Sequence, residues 1–300
     1  MSHHPLSRRQ FIGRTAALAS LAWLEPRLAA APKRTAVDQV TLGNTGIRLS
    51  RLGLGTGSNS GNVQRALGQE AFNRLVHYAY DQGITYLDAA LSYRTHEWIG
   101  AAIKGLPREK LYVQTKIGGV PENPLEVIDK IRKTYDTDYV DSLLVHCTVK
   151  PNWDDERKRM LDAIAEAQSR KWVRARGVSC HSLPALKRSA EIDWVEVHLV
   201  RVNPQGAHID TPAEEYNAKS NESHLPPVLD QLKAMKAKGH GVIGMKLIGD
   251  GDFVKAEDRE KAIRYAMSLK EIDAVVIGCK SPAEVDEAIE RMNRALAETV

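Results

Sequence analysis

A closed (β/α)8 TIM barrel is the α/β fold this sequence predicts, and three observations predict it. Eight short apolar runs of strand length are each followed by a stretch with helical spacing. Such alternation builds a parallel sheet whose faces are covered by helices. The eight units occupy about 250 residues, the usual size of such a barrel. No Gly-x-Gly-x-x-Gly turn follows the first run, which weakens the alternative of an open doubly wound sheet.

The elements follow in order. Residues 39–42 and 47–49 flank Asn44-Thr45-Gly46, whose turn chemistry makes a β-hairpin. Lying before the first barrel strand, it is expected to cap the barrel bottom. Residues 52–55 form that strand. Over 69–82, apolar Ala71, Phe72, Leu75, Val76 and Ala79 fall on one helical face, and Gly83 closes the helix. Strand 84–88 and helix 96–104 come next. Further strands are predicted at 111–115, 142–145, 175–179, 195–202, 242–245 and 274–277. They alternate with helices at 124–135, 155–171, 184–190, 222–238, 256–269 and 282–297. Only 203–221 is long and irregular, and a loop of that length in a compact domain is usually functional or mobile.

Composition removes several classes of function. Hydrophobic residues at 43% and charged residues at 27% exclude a disordered chain. A net charge of +4, without a stripe of Lys or Arg, gives no nucleic-acid surface. Cys147, Cys180 and Cys279 form no CxxC or zinc spacing, so no metal is expected. No apolar stretch is long enough to span a membrane in the mature form.

The first 31 residues read as an address. Ser7-Arg8-Arg9-Gln10-Phe11 precedes an apolar centre over 15–24 and an alanine-rich end. The paired arginines resemble a twin-arginine export signal, which carries folded proteins. This predicts a signal peptide over 1–31, one barrel domain over 32–300, the twin-arginine machinery as partner and a periplasmic or otherwise exported location. Glu25 and Arg27 leave open a retained signal, and a ragged basic terminus is the bland alternative.

Chemistry in a barrel sits at the C-terminal ends of its strands. Asp88, Lys116 and His146 end the second, third and fourth predicted strands, and Tyr93 follows Asp88 in its loop. Singly, each reads as a cap, a solvated lysine or a structural histidine. Together they make a proton-delivery set. An ammonium lowers the pKa of a nearby phenol, a carboxylate holds the ammonium, and an imidazole positions a carbonyl. No side chain supplies hydride, so a nicotinamide is implied.

With these residues placed, the chain resembles the aldo-keto reductase family over roughly 39–292. The likeness runs through Gly53-Leu54-Gly55-Thr56-Gly57, Asp88 to Tyr93, Glu97-Trp98-Ile99-Gly100, Thr115-Lys116, His146 and Gly177-Val178-Ser179. The resemblance implies the tetrad Asp88, Tyr93, Lys116 and His146, with Tyr93 as proton donor. It also implies NADP(H), with NAD(H) as the alternative, and a small aldehyde or ketone as substrate. Cofactor contacts are expected from Gly55, Thr56, Ser179, Cys180, Met245, Lys246, Leu247, Gly249, Lys280 and Ser281. Five positions depart from the family pattern, among them Ala288 where the family has an Asn. Arg94 replaces the Gly after the tyrosine, Cys180 an Asn and Leu199 a Gln. Glu284 stands where an Arg clamps the 2′-phosphate. The three cysteines, just beyond strand ends, are expected at the rim, as apolar fillers or as a redox-sensitive or metal-catching mouth. A nicotinamide-binding sensor with little turnover is the runner-up, and isomerase or hydrolase chemistry on the same rim a third reading.

Overall fold

The computed structural model describes residues 34–298, so the export signal predicted over 1–31 lies outside the described residues. Within them, β1 (Gln39–Thr41) and β2 (Arg48–Ser50) pair antiparallel as the predicted hairpin. The barrel strands are β3 (Leu52–Gly55), β4 (Tyr86–Asp88), β5 (Tyr112–Gly118), β6 (Val140–Thr148), β7 (Val173–Cys180), β8 (Val197–Arg201), β9 (Gly241–Met245) and β10 (Ala274–Gly278). They run parallel in sequence order, and β10 closes onto β3 with Gly278 opposite Gly55. Helices fall between them: the fold is a (β/α)8 TIM barrel.

Alternation along each strand sorts side chains between barrel interior and helix layer. The lower interior holds Tyr86, Tyr112, Leu144, Val197 and Ile243, packed on Leu42, Ile47 and Leu49 of the hairpin. The hairpin thus plugs the barrel as expected. Asn44 N–H donates to Gly239 O at 2.7 Å and pins the plug to the loop before β9. Gly43 makes that docking feasible. Its φ is +49°, and a Cβ there would lie 2.4 Å from the nitrogen of Gly241.

Two elements depart from expectation for identifiable reasons. The helix predicted over 155–171 is split into Trp153–Glu156 and Lys158–Ser169. Arg157 between them leaves helical geometry at φ −110°, ψ 18°. Its guanidinium donates to His146 O at 3.0 Å. In the region predicted as helix 222–238, a 3-10 turn at Glu222–His224 precedes the helix Leu225–Ala237, whose first turn holds its prolines.

Two histidines set an acid limit on this fold. Burial holds His96 down at about 4 and His198 well below the ordinary imidazole value. Both therefore bind a proton more readily when unfolded. Their contribution is fully present above about pH 6.5 and is lost as pH falls through and below it. At pH 5 each should cost about 2 kcal/mol of stability. Chemical denaturation from pH 7 to 5 tests this: the midpoint should fall steadily, and His198→Gln should flatten the slope by about one proton. An unchanged slope in that variant would remove His198 from the account.

Candidate active site

Adjacent parallel strands in register create the centre of the site. Asp88 ends β4 opposite Gln114 of β5, and Lys116 lies one inward position further along β5. Lys116 is fully buried. Its Nζ donates to Asp88 Oδ1, Asp88 Oδ2 and Ala89 O, each at 2.7 Å. Burial lowers the lysine pKa, and Asp88 pulls it back up. The carboxylate is itself supported from below. Gln114 Nε2 donates to Asp88 Oδ1 at 2.8 Å and to Tyr86 Oη at 2.8 Å, while Ser142 Oγ donates to Gln114 Oε1 at 2.9 Å. Sequence reading missed Gln114, although alternation from Lys116 points it inward.

Tyr93 ends the short 3-10 turn Leu91–Tyr93 that follows β4. Lys116 Nζ lies 5.0 Å from the centre of its ring. His146 of β6 meets the same ring edge-on at a centroid distance of 5.7 Å. The four residues that sequence reasoning grouped are therefore gathered at one end of the barrel. Gly57, unremarked as a contact, shapes the phenol's seat: a Cβ there would lie 2.5 Å from the Tyr93 ring. Arg94 sits at φ 58°, ψ 35°, in the left-handed region that favours glycine. That geometry accounts for the family's usual residue at this position.

The expected lowering of the phenol by Lys116 is not what the resting site shows. Burial foremost, and then the charge of Asp88, push Tyr93 well above the ordinary phenol value. Burial, followed by the positive charge of Lys116, likewise pushes His146 well below the ordinary imidazole value. At neutral pH the site holds a protonated phenol and a neutral imidazole.

A cavity of about 480 Å³ opens beside Tyr93 and Asp88 and extends past the loop after β9 to Glu284 and Arg291. Five of the residues expected to contact a cofactor, Gly55, Met245, Lys246, Leu247 and Lys280, line it. The other five expected cofactor residues do not. Thr56 turns its hydroxyl to Asp88 O at 2.9 Å, and Ser179 is fully buried within the barrel. Gly249 packs on Phe253, and Ser281 Oγ accepts Glu284 N–H at 3.3 Å at the start of the helix Pro282–Glu298.

Cys180 is a correction. It is the outward neighbour of inward Ser179, so it faces the helix layer and accepts a hydrogen bond from Thr148 Oγ1 at 3.3 Å. The three cysteines therefore do not share a rim. Cys279 lines the cavity, and Cys147 points instead toward His181, its sulfur 3.9 Å from Nε2.

The long loop over 203–221 approaches the site beside His181, outside the cavity lining. Arg201, ending β8, donates from Nε to Asp210 Oδ1 of this loop at 2.9 Å, and both side chains are buried. Asn203 Nδ2 ties the loop's start to Lys246 O at 3.1 Å. So anchored, the loop lays the Tyr216 ring on His181, with centroids 4.6 Å apart and planes within 11°.

Known proteins bear on this site at two levels. Relatives named as reductases and dehydrogenases place the chain among the oxidoreductase enzymes. More narrowly, the sequence model of the Aldo/keto reductase family matches residues 51–262, and the chain belongs to that family. It is 25% identical over 295 residues to L-galactose dehydrogenase from Arabidopsis thaliana, covering 85% of this chain and 88% of that one. It is 27% identical over 173 residues to methylglyoxal reductase DkgB from Escherichia coli O157:H7, covering 56% and 57%. Among solved structures, an aldo-keto reductase from Bacillus halodurans in its holo form superposes with a TM-score of 0.67 at 16% identity, covering 88% of this chain and 96% of that one. Carbonyl reduction with NAD(P)H is the general activity of the family.

The loop anchor makes a testable claim. Removing one member of a buried ion pair strands the other, at a cost of roughly 3–5 kcal/mol. Asp210→Ala should lose stability on that scale in chemical denaturation and open 203–221 to limited proteolysis. A protease-resistant loop in a folded variant would show that other contacts hold it.

Proposed function

We propose that this protein reduces a small aldehyde or ketone to the alcohol with a nicotinamide dinucleotide, Tyr93 giving the proton. The gathering of Tyr93, Lys116, Asp88 and His146 beside an elongated cavity carries the reading. The cavity suits such a cofactor: Gly55, Gly57, Gly251 and Gly278 line it and leave backbone open to close approach. When bound, the nicotinamide supplies a hydride to the carbonyl carbon.

The chain's residues do the rest. The Tyr93 hydroxyl, held protonated by burial, donates to the carbonyl oxygen. Lys116, kept charged and aimed by Asp88, stabilises the negative charge left on the phenol. The neutral His146 ring orients the carbonyl by hydrogen bonding. Glu284 marks the cofactor's far end. Its carboxylate accepts Lys280 N–H at 2.8 Å and lies 3.7 Å from Lys280 Nζ. An acid there accepts a ribose hydroxyl and repels a 2′-phosphate, so it works against NADP(H) and toward NAD(H). The leader over 1–31 supports export of the folded barrel by the twin-arginine machinery to the periplasm.

Tyr93→Phe should lower reduction of a carbonyl panel by roughly a thousandfold while tryptophan-fluorescence titration shows unchanged cofactor binding. Turnover equal to the parent's would remove Tyr93 as donor. Binding without turnover in the parent would instead favour the sensor reading. Separately, Glu284→Ala should raise affinity for NADPH relative to NADH by about tenfold in the same titration. An unchanged ratio would place that carboxylate away from the 2′ position.

A further inference from the structure

A bulge in β6 brings a second chemistry to the mouth. The register with β7 shifts between His146 and Thr148, and Cys147 takes a φ of 58°. Regular alternation would send Cys147 to the helix layer. The bulge instead turns two consecutive side chains, His146 and Cys147, into the same opening. Cys147 Sγ lies 3.9 Å from His181 Nε2. One ligand atom from each of His146, Cys147 and His181 falls within 4.8 Å of the others, the only such trio of His, Cys, Asp or Glu among the described residues.

From this we propose that His146, Cys147 and His181 bind a single zinc-like divalent cation that closes the mouth to substrate. Tetrahedral zinc with bonds of about 2.0–2.3 Å holds its ligands about 3.5 Å apart, so side-chain shifts of an ångström or less complete the site. A thiolate and two imidazoles select zinc, cobalt or copper over calcium and magnesium. Three protein ligands leave the fourth position to water. His181 supplies an independent sign. Its buried Nε2, the ring atom that faces the sulfur, has only two long contacts, Ser179 Oγ at 3.4 Å and Cys147 Sγ at 3.9 Å. Buried polar atoms are seldom left so poorly satisfied.

Positive groups surround the trio and lower both imidazoles, a repulsion the Cys147 thiolate and the nearby carboxylates offset in part. Lys116 is matched by Asp88, Arg201 by Asp210 and Lys246 by Asp250, while Arg157 faces the backbone of His146. On binding, the sulfur–hydrogen bond breaks, a sulfur–metal bond forms and the proton passes to solvent. The cation occupies the His146 imidazole beside Tyr93, so it excludes a carbonyl from that ring.

Cobalt(II) titration of the purified protein tests binding without any turnover assay. One equivalent should give a thiolate-to-cobalt charge-transfer band and tetrahedral visible bands, displaced by zinc and untouched by magnesium. Cys147→Ser should abolish the charge-transfer band, and His181→Ala should weaken binding at least about tenfold. In the parent protein, zinc should slow iodoacetamide alkylation of Cys147 by about tenfold, read by peptide mass spectrometry. No band in the parent, the same band in Cys147→Ser, or alkylation indifferent to zinc would each overturn the site. A parent that binds cobalt yet, when stripped of metal with a chelator, reduces no carbonyl would leave the site standing and sink the reductase reading instead.

Discussion

A positive charge with almost no access to water organises this protein. The Lys116 ammonium lies inside the barrel, where an unmatched ion would cost several kcal/mol. Its three protons are met by the two oxygens of Asp88 and by Ala89 O. That match exists because β4 and β5 are neighbours in a parallel register and both residues point inward. The support continues downward through Gln114 and Ser142 to Tyr112, whose hydroxyl lies 2.7 Å from Ser142 Oγ. The proton-handling group thus rests on a satisfied polar column above an apolar plug. Barrel closure and site assembly are one structural event.

Much of this was legible in the chain. Short apolar runs followed by helical spacings mark eight strand–helix units, and strand ends mark Asp88, Lys116 and His146. Legibility failed where a local irregularity intervened. Counting residues past a strand end put Cys180 at the rim, but side-chain alternation turns it outward. The opposite error threatens Cys147, which alternation alone would hide and the bulge exposes. Arg157 interrupts a helix to reach the β6 backbone, a long-range demand that no local pattern reports. The phenol's raised pKa follows from burial, which the sequence does not quantify.

Four of the strained non-glycine residues flank the candidate site. Arg94, Cys147, Lys246 and Asp250 all hold left-handed φ without being glycine. Each such residue costs about 1 kcal/mol or more, and strain of this kind persists where surrounding structure enforces it. All four follow or flank residues of the candidate site. The tight turns they make aim Tyr93 and His146 and shape the cavity wall beside Leu247.

The loop over 203–221 carries none of the proton-handling groups. It contributes an aromatic face through Tyr216 and is moored by Arg201 and Asp210, away from the β4–β5 pair. The loop thus meets the proton-handling groups from a separate segment of chain, through the Tyr216–His181 stack. Evolution, or an engineer, is free to rewrite that one loop, while the apparatus that delivers the proton stays untouched.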